Sequence, residues 1–218
     1  MFIVEKDPKS IAAESYRTLR TSIQYSSFDK EYRSILITSS DAGEGKSVTA
    51  GNLALSFAQS EKAVVLIDCD MRKPSVHKAF KVSNMEGLSD VLVGKVKLED
   101  VLIKKGNLYI LTAGNIPPNP SEMLGSKAMT YLLERLKEEY DYVILDAPPV
   151  QAVTDAQILS TKVDGTIIVV RAERTKKDAV KNTVKLLKQV NANIVGTVLN
   201  GVDNSRNKYY YYYNHSNK

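Results

Sequence analysis

Six runs of apolar residues punctuate the chain: Ile35–Thr38, Val64–Asp68, Leu108–Thr112, Val143–Asp146, Thr166–Val170 and Ile194–Leu199. Each is continuous in Val, Ile and Leu rather than alternating, which predicts strands covered on both faces, as in a parallel sheet. Between them, Ser47–Gln59, Lys127–Tyr140 and Lys176–Val190 read as helices. In the last of these, Ala179, Val180, Thr183, Val184, Leu187 and Val190 share one face. The alternation of strand and helix predicts an α/β fold, doubly wound, with a mostly parallel sheet and helices on both faces. No internal repeat is visible.

Two segments lie outside that pattern. Near the start, Asp7 before Pro8 reads as an N-cap with proline at the first helical position, opening a helix to about Tyr25. Tyr16, Leu19 and Ile23 would be its buried stripe, and Glu14, Arg17 and Arg20 would drift slowly around one exposed side. At the other end, Val202–Lys218 is rich in Asn, Lys, Ser and Tyr and has no periodic apolar face. It reads as a mobile tail following one domain, with the division at residues 202 and 203.

Composition narrows the class. With 218 residues, 43% hydrophobic and 25% charged, the chain has an ordinary globular balance. No apolar run of about 18 residues predicts a transmembrane helix, and MFIVEKDPKS does not read as a secretory signal. One cysteine, Cys69, excludes a disulfide framework and makes a cytoplasmic location the default. The two histidines, His77 and His215, argue against a histidine-rich metal site. A net charge of +5 suits phosphate ligands or a membrane surface and is too mild to argue for nucleic acid.

The chemistry begins after the first predicted strand, with Ser39-Ser40-Asp41-Ala42-Gly43-Glu44-Gly45-Lys46-Ser47. Gly43 and Gly45 let the backbone approach a phosphate, and the N–H groups from Ala42 through Val48 would point at the anion. Lys46 would neutralise the β- and γ-phosphates, and the Ser47 hydroxyl would ligate Mg²⁺. The loop departs from G-x-x-x-x-G-K-S at Ser40, where the first glycine is expected.

Two strand ends then carry carboxylates. Asp68 and Asp70 are two residues apart after a buried strand, so they would share a side and converge on one metal or one hydroxyl. Asp146 repeats the device after another strand. In open α/β sheets, ligands sit at the carboxyl ends of strands, so loop 39–47, Asp68, Asp70 and Asp146 should meet on one edge. In the expected reaction MgATP binds the loop. Ser47, Asp146 and one of Asp68 or Asp70 hold the metal, and the other aspartate takes a hydroxyl proton. Arg72 contacts the transferring phosphoryl group or orients the aspartates, and Asn200 reads the adenine edge.

Five of the twelve tyrosines stand together as Tyr209, Tyr210, Tyr211, Tyr212 and Tyr213, in a chain that is 7% aromatic. Stacking on single-stranded nucleic acid is one use for such a run. The tail nevertheless carries only Arg206, Lys208 and Lys218 against Asp203, which is weak for a polyanion. A partner-binding tail is another use, and accessible phosphate acceptors a third.

With the loop Ser40–Ser47, the Asp68-Cys69-Asp70-Met71-Arg72 motif, Asp146 and Tyr209–Tyr213, the chain resembles the cytoplasmic bacterial tyrosine kinases of capsular and exopolysaccharide assembly. Pro117-Pro118-Asn119-Pro120-Ser121-Glu122 resembles a further landmark of that family, and Glu14, Arg17 and Arg20 match its E-x-x-R-x-x-R oligomerisation motif. Ala42 stands where the family often has proline, a mild change because proline contributes no donor there. The resemblance implies an ATP- and Mg²⁺-dependent protein-tyrosine kinase that phosphorylates its own tyrosine cluster, in trans within a ring of copies. It implies a separate transmembrane adaptor that activates the kinase at the inner face of the membrane, protein-tyrosine substrates and a phosphatase. It also implies a role in polysaccharide synthesis or export.

Two other classes compete. A MinD/ParA-like dimeric switch ATPase would hydrolyse ATP to water. Its lysine early in the loop is replaced here by Asp41, and it needs no tyrosines. A nucleotide-binding adaptor that displays a tyrosine tag for other kinases is the second.

Overall fold

The computed structural model describes residues 2–26 and 31–202. The chain order is α1 (Ile3–Lys6), α2 (Ile11–Gln24), β1 (Ser34–Ser39), α3 (Lys46–Ala58), β2 (Val64–Asp68), α4 (Val76–Phe80), α5 (Leu88–Leu92), α6 (Leu98–Val101), β3 (Ile103–Lys105) and β4 (Leu108–Leu111). It continues with α7 (Pro120–Gly125), α8 (Lys127–Glu139), β5 (Tyr142–Asp146), α9 (Asp155–Ser160), β6 (Gly165–Arg171), α10 (Lys177–Gln189) and β7 (Ile194–Asn200). The strands form one sheet in the order β3-β4-β2-β5-β1-β6-β7. Every pairing is parallel except β3 with β4. The doubly wound α/β fold expected from the sequence is the fold observed.

The continuous apolar runs work as predicted in the middle of the sheet. Alternate residues of each central strand enter opposite cores: Leu36, Val65, Ile67, Val143 and Leu145 on one face, and Ile35, Ile37, Val64, Leu66 and Ile144 on the other. Helices α8 and α10 supply Leu132, Leu133, Leu136 and Leu187 to the first core. Helix α3 supplies Leu53 and Phe57 to the second, where Phe57 stacks on Tyr142 at 3.9 Å between ring centroids.

Four departures from the sequence expectation have physical causes. Strand β7 is apolar like the others yet stays partly exposed, because it is the edge of the sheet and has one strand neighbour, β6. Strand β3 was not expected. It is a three-residue antiparallel edge strand with two lysines, too short and too polar to register as an apolar run. Helix α2 is capped by Ser10, whose Oγ accepts from the Ala13 N–H, and not by Asp7. Asp7 instead closes the short helix α1, its N–H donating to the Ile3 carbonyl.

The fourth departure concerns the charged face of α2. Glu14 is exposed, and its carboxylate takes a 2.7 Å ion pair from Arg17, which also donates to the Pro8 carbonyl. Arg20 does not stay on the solvated side. It folds back on α3 and donates to the Ser56 carbonyl at 2.7 Å, an interaction the spacing alone does not reveal. Of the expected apolar stripe, Ile23 is buried, while Tyr16 and Leu19 are partly covered.

Helix α1 is held by apolar burial. Phe2 and Val4 are buried, Phe2 packs against Phe80 at 4.4 Å between centroids, and the Val4 N–H donates to Asn52 Oδ1. Gly51 makes this seat: a Cβ there would lie 2.2 Å from the Phe2 ring. Replacing Phe2 by alanine should therefore destabilise the protein by about 3 kcal/mol in urea unfolding, in the range for a buried ring deleted from a core. A loss under about 0.5 kcal/mol, typical of a surface change, would show that α1 is not seated in this way.

Candidate functional site

The site lies at the carboxyl edge of the sheet because of strand register. Strand β5 lies between β2 and β1, with Asp68 opposite Asp146 and Ile37 opposite Asp146. Adjacent strands are about 4.8 Å apart and residues in register share a face. Asp68 and Asp146 therefore stand side by side on the face covered by α3. Both are fully buried, and Asp70 is 5% exposed.

Lys46 opens α3 directly above them. Gly45 precedes it in a left-handed conformation, φ 95°, which only glycine adopts without strain. A Cβ at Gly45 would lie 1.9 Å from Asn200 Nδ2, and that amide donates to the Glu44 carbonyl. Asn200 thus packs on the loop from the end of β7. Gly43 is also left-handed, and the exposed Arg174 lies over it with its guanidinium 3.4–3.5 Å from the Ala42 and Gly43 carbonyls. Ala42 and Gly43 are exposed, and Val48 is exposed on the first turn of α3.

The loop is braced from within. Buried Glu44 accepts from the Ser40 and Asp41 N–H groups through Oε2 and from the Thr175 hydroxyl through Oε1. Ser40, in the place of the first glycine, receives a 2.9 Å hydrogen bond from the Thr183 hydroxyl, which gives the serine a use there. Ser47 Oγ accepts from Ser75 Oγ at 2.9 Å.

The three aspartates are not equivalent. Asp68 is fastened by backbone: Oδ1 accepts from the Asp70 N–H, and Oδ2 from the Ser75 and Val76 N–H groups. Asp70 Oδ1 accepts from the Lys73 N–H, and Oδ2 pairs with Lys46 Nζ at 3.0 Å. Asp146 is buried with neither carboxylate oxygen hydrogen-bonded among the described residues, and Lys46 Nζ is 3.8 Å from its Oδ1. Burial lifts the Asp68 carboxyl to about 7, with the Asp146 charge adding to it. Burial lifts Asp146 to about 6, against the pull of Lys46. Burial disfavours the charged Lys46, but Asp146 and Asp70 outweigh it and its pKa is raised.

An orphaned buried carboxylate beside a serine hydroxyl and an ammonium group fits a small divalent cation and phosphate oxygens. Among the described residues no three His, Cys, Asp or Glu side chains form a metal cage. Mg²⁺ keeps several waters and takes one or two carboxylates together with substrate phosphates. Arg72 stands at the rim, forked onto Asp155 at 3.0 and 3.2 Å and onto Ser121 at 2.9 Å. Sequence reasoning missed Ser75, Asp155, Arg174, Thr175 and Thr183 as members of this neighbourhood. Ser121 carried a signal, since it lies in the proline-rich segment 117–122, but its bond to Arg72 spans 49 residues. Tyr209–Tyr213 lie outside the described residues.

Comparison with known proteins places this geometry. A family model described as an AAA domain matches residues 32–199. The tyrosine-protein kinase YwqD of Bacillus subtilis is 43% identical over 97% of this chain and 90% of its own length. The chain belongs to the bacterial tyrosine-protein kinases. It is also 37% identical to the tyrosine-protein kinase Etk of Escherichia coli, over 92% of this chain but 28% of that longer protein. Among solved structures, the Etk kinase domain superposes with a TM-score of 0.89 at 37% identity, covering 93% of this chain and 80% of the other. The chimerical protein CapA2B2 gives 0.88 at 40%, covering 91% and 88%. The septum-site-determining protein MinD of Pyrococcus horikoshii, complexed with Mg-ADP, gives 0.65 at 25%, covering 77% and 69%. The kinase fold therefore shares the general P-loop ATPase plan with MinD. No helix among the described residues is long and apolar enough to cross a membrane.

The raised carboxyls set a pH dependence. An unfolded carboxylate titrates near 3.9, while Asp68 and Asp146 hold protons to about 7 and about 6. Between those values the native kinase binds more protons than the unfolded chain, so stability falls as pH rises. The Tm of the metal- and nucleotide-free protein should drop between about pH 5 and about pH 8, and Asp146→Asn should flatten the drop. A Tm that rises across that window would contradict the assignment.

Proposed function

We propose that this kinase transfers the γ-phosphoryl group of ATP to the tyrosines of its own cluster, Tyr209–Tyr213, in trans between copies. In so doing it regulates capsular or exopolysaccharide synthesis or export. The observation that carries the reading is the orphaned, buried Asp146 carboxylate beside Lys46 and Ser47 at the mouth of a glycine loop, in a chain that also bears five adjacent tyrosines.

Loop 42–48 binds the triphosphate through its N–H groups. Lys46 leaves Asp70 to neutralise the β- and γ-phosphates. Ser47 and Asp146, with Asp68 beside them, would hold Mg²⁺, which when bound would neutralise charge on the phosphate oxygens. A bond forms between the tyrosine oxygen and phosphorus, the bridging bond to ADP breaks, and the phenol proton passes to an aspartate. Asp70 suits that last role better than Asp68, whose two oxygens already accept three backbone N–H groups. A carboxylate is in general a much weaker base than a phenolate. Positioning and charge stabilisation therefore do most of the catalysis. Arg72 approaches the transferring phosphoryl group, and Asn200 reads the adenine edge from its place on Gly45.

From Asn200 to Tyr209 is nine residues, at most about 30 Å extended, so a tail reaches its own site or a neighbour's. Glu14, Arg17 and Arg20, with Tyr25, line a surface cleft of about 400 Å³ on α2 that offers a face for ring contacts. A separate membrane adaptor would recruit the cytoplasmic kinase to the inner face of the membrane and activate it, and a phosphatase would reset it.

Incubation with γ-labelled ATP tests the reaction. Label on protein tyrosine is expected, and Lys46→Met should abolish it while the Tm shows the fold intact. Free phosphate with no tyrosine label would instead favour a switch ATPase like MinD, the second reading that the shared plan supports. Five phosphotyrosines add roughly −8 to −10 charge, enough to reverse the +5 of the chain. Light scattering should show a ring before phosphorylation and smaller species after it. An unchanged mass would rule out that release.

A further inference from the structure

Arg72 ends the acidic motif, and its side chain enters a built contact with two distant segments. Its Nε donates to Asp155 Oδ2 at 3.0 Å and its Nη2 to Asp155 Oδ1 at 3.2 Å. Nη2 also donates to Ser121 Oγ at 2.9 Å, and that hydroxyl donates to Asp155 Oδ1 at 2.6 Å. The three groups close a ring of hydrogen bonds. They come from the segment after β2, from α7 and from the start of α9.

Exposure is uneven across this ring. The Asp155 side chain is 0% exposed, while that of Arg72 is 39% exposed. A carboxylate taken wholly out of water is costly unless it is paired, so Asp155 constrains the arginine strongly. A two-pronged contact fixes the plane of a guanidinium, which a single contact does not. Among the described residues no hydrogen bond leaves Arg72 Nη1. One edge of the group is thus fastened and the other is left open, two residues along the chain from Asp70.

We propose that Asp155 and Ser121 are positioning residues of the phosphotransfer site, locking Arg72 so that its Nη1 edge meets an oxygen of the transferring phosphoryl group. This rests on the kinase reading above. It explains why a fully buried carboxylate opens α9 at a place no strand end requires. It also explains the serine of the Pro-Pro-Asn-Pro-Ser-Glu segment, which ties α7 to the arginine. Arg72→Lys is then not a conservative change, because an ammonium group cannot make the fork.

Four variants test it: Arg72→Ala, Asp155→Asn, Ser121→Ala and the double Asp155→Asn/Arg72→Ala. Each is assayed for kcat and KM on tyrosine phosphorylation, for ATP affinity by calorimetry and for Tm. Arg72→Ala should lower kcat by about 100-fold, as loss of a preorganised donor does, with ATP affinity within about two-fold. Asp155→Asn should lower kcat by about ten-fold or more with the same split between kcat and affinity. The double variant should be no worse than Arg72→Ala alone, because one group acts through the other. Ser121→Ala removes only a hydroxyl and should cost a few-fold in kcat, which keeps the test open if Asp155→Asn fails to fold.

Normal kcat in both Asp155→Asn and Ser121→Ala, with Arg72→Ala impaired, overturns the inference. So does a double variant whose losses multiply. A fully active Arg72→Ala removes its premise. Failure of the wild-type protein to label tyrosine under any condition would instead count against the kinase reading itself, and is read separately.

Discussion

One ammonium group holds the centre of this molecule together electrically. Asp68, Asp70 and Asp146 come from two adjacent strand ends and are almost wholly removed from water. Lys46 is the cation that pairs with Asp70 and Asp146. One ammonium group faces three carboxylates there. Burial holds protons on Asp68 and Asp146 at higher pH than on free carboxylates, and the charge of neighbouring carboxylates adds to it. A site in this condition is short of positive charge, and a bound divalent cation would supply it. On the reading proposed above, that imbalance would favour the cation, whose charge would offset both the incoming phosphates and the withdrawal of Lys46 from the aspartates.

The rest of the fold serves that arrangement. Register between β2 and β5 sets the Asp68–Asp146 pair, and alternation along each strand turns both toward α3. The left-handed Gly45 brings the chain back so that α3 starts over the carboxylates. Backbone donors at Ser75 and Val76 keep Asp68 in place without another cation. Glu44 takes up two N–H groups of the loop and ties it to Thr175, so the loop is shaped by its own side chain.

What could be read from the sequence follows the range of each interaction. Strands with continuous apolar runs, the phosphate loop and the acidic strand ends are local signals, and the sheet and the meeting of Lys46 with the three aspartates came through. Interactions between distant segments left no such mark. Arg72 and Asp155 are 83 residues apart, and Ser40 and Thr183 are 143 apart. Thr183 was legible only as a member of the inner face of α10, not as a partner for the loop. Asp7 before Pro8 carried a capping signature, yet the cap is Ser10, because burial of Phe2 and Val4 commits the preceding residues to α1. Arg20 looked like part of a solvated face and is instead drawn to a backbone carbonyl on α3.

Shortage of positive charge at the sheet edge is the claim on which the site depends, and proton counting tests it most directly. Calorimetric titration of the nucleotide-free protein with preformed MgATP, in buffers of different ionisation enthalpy near about pH 6.5, measures the protons exchanged on binding. Carboxyls held up to about 7 and about 6 should give them up as the cation arrives, so net proton release is predicted. Binding with no exchange, or with net uptake, would show that these aspartates were already ionised and that Lys46 alone had balanced them.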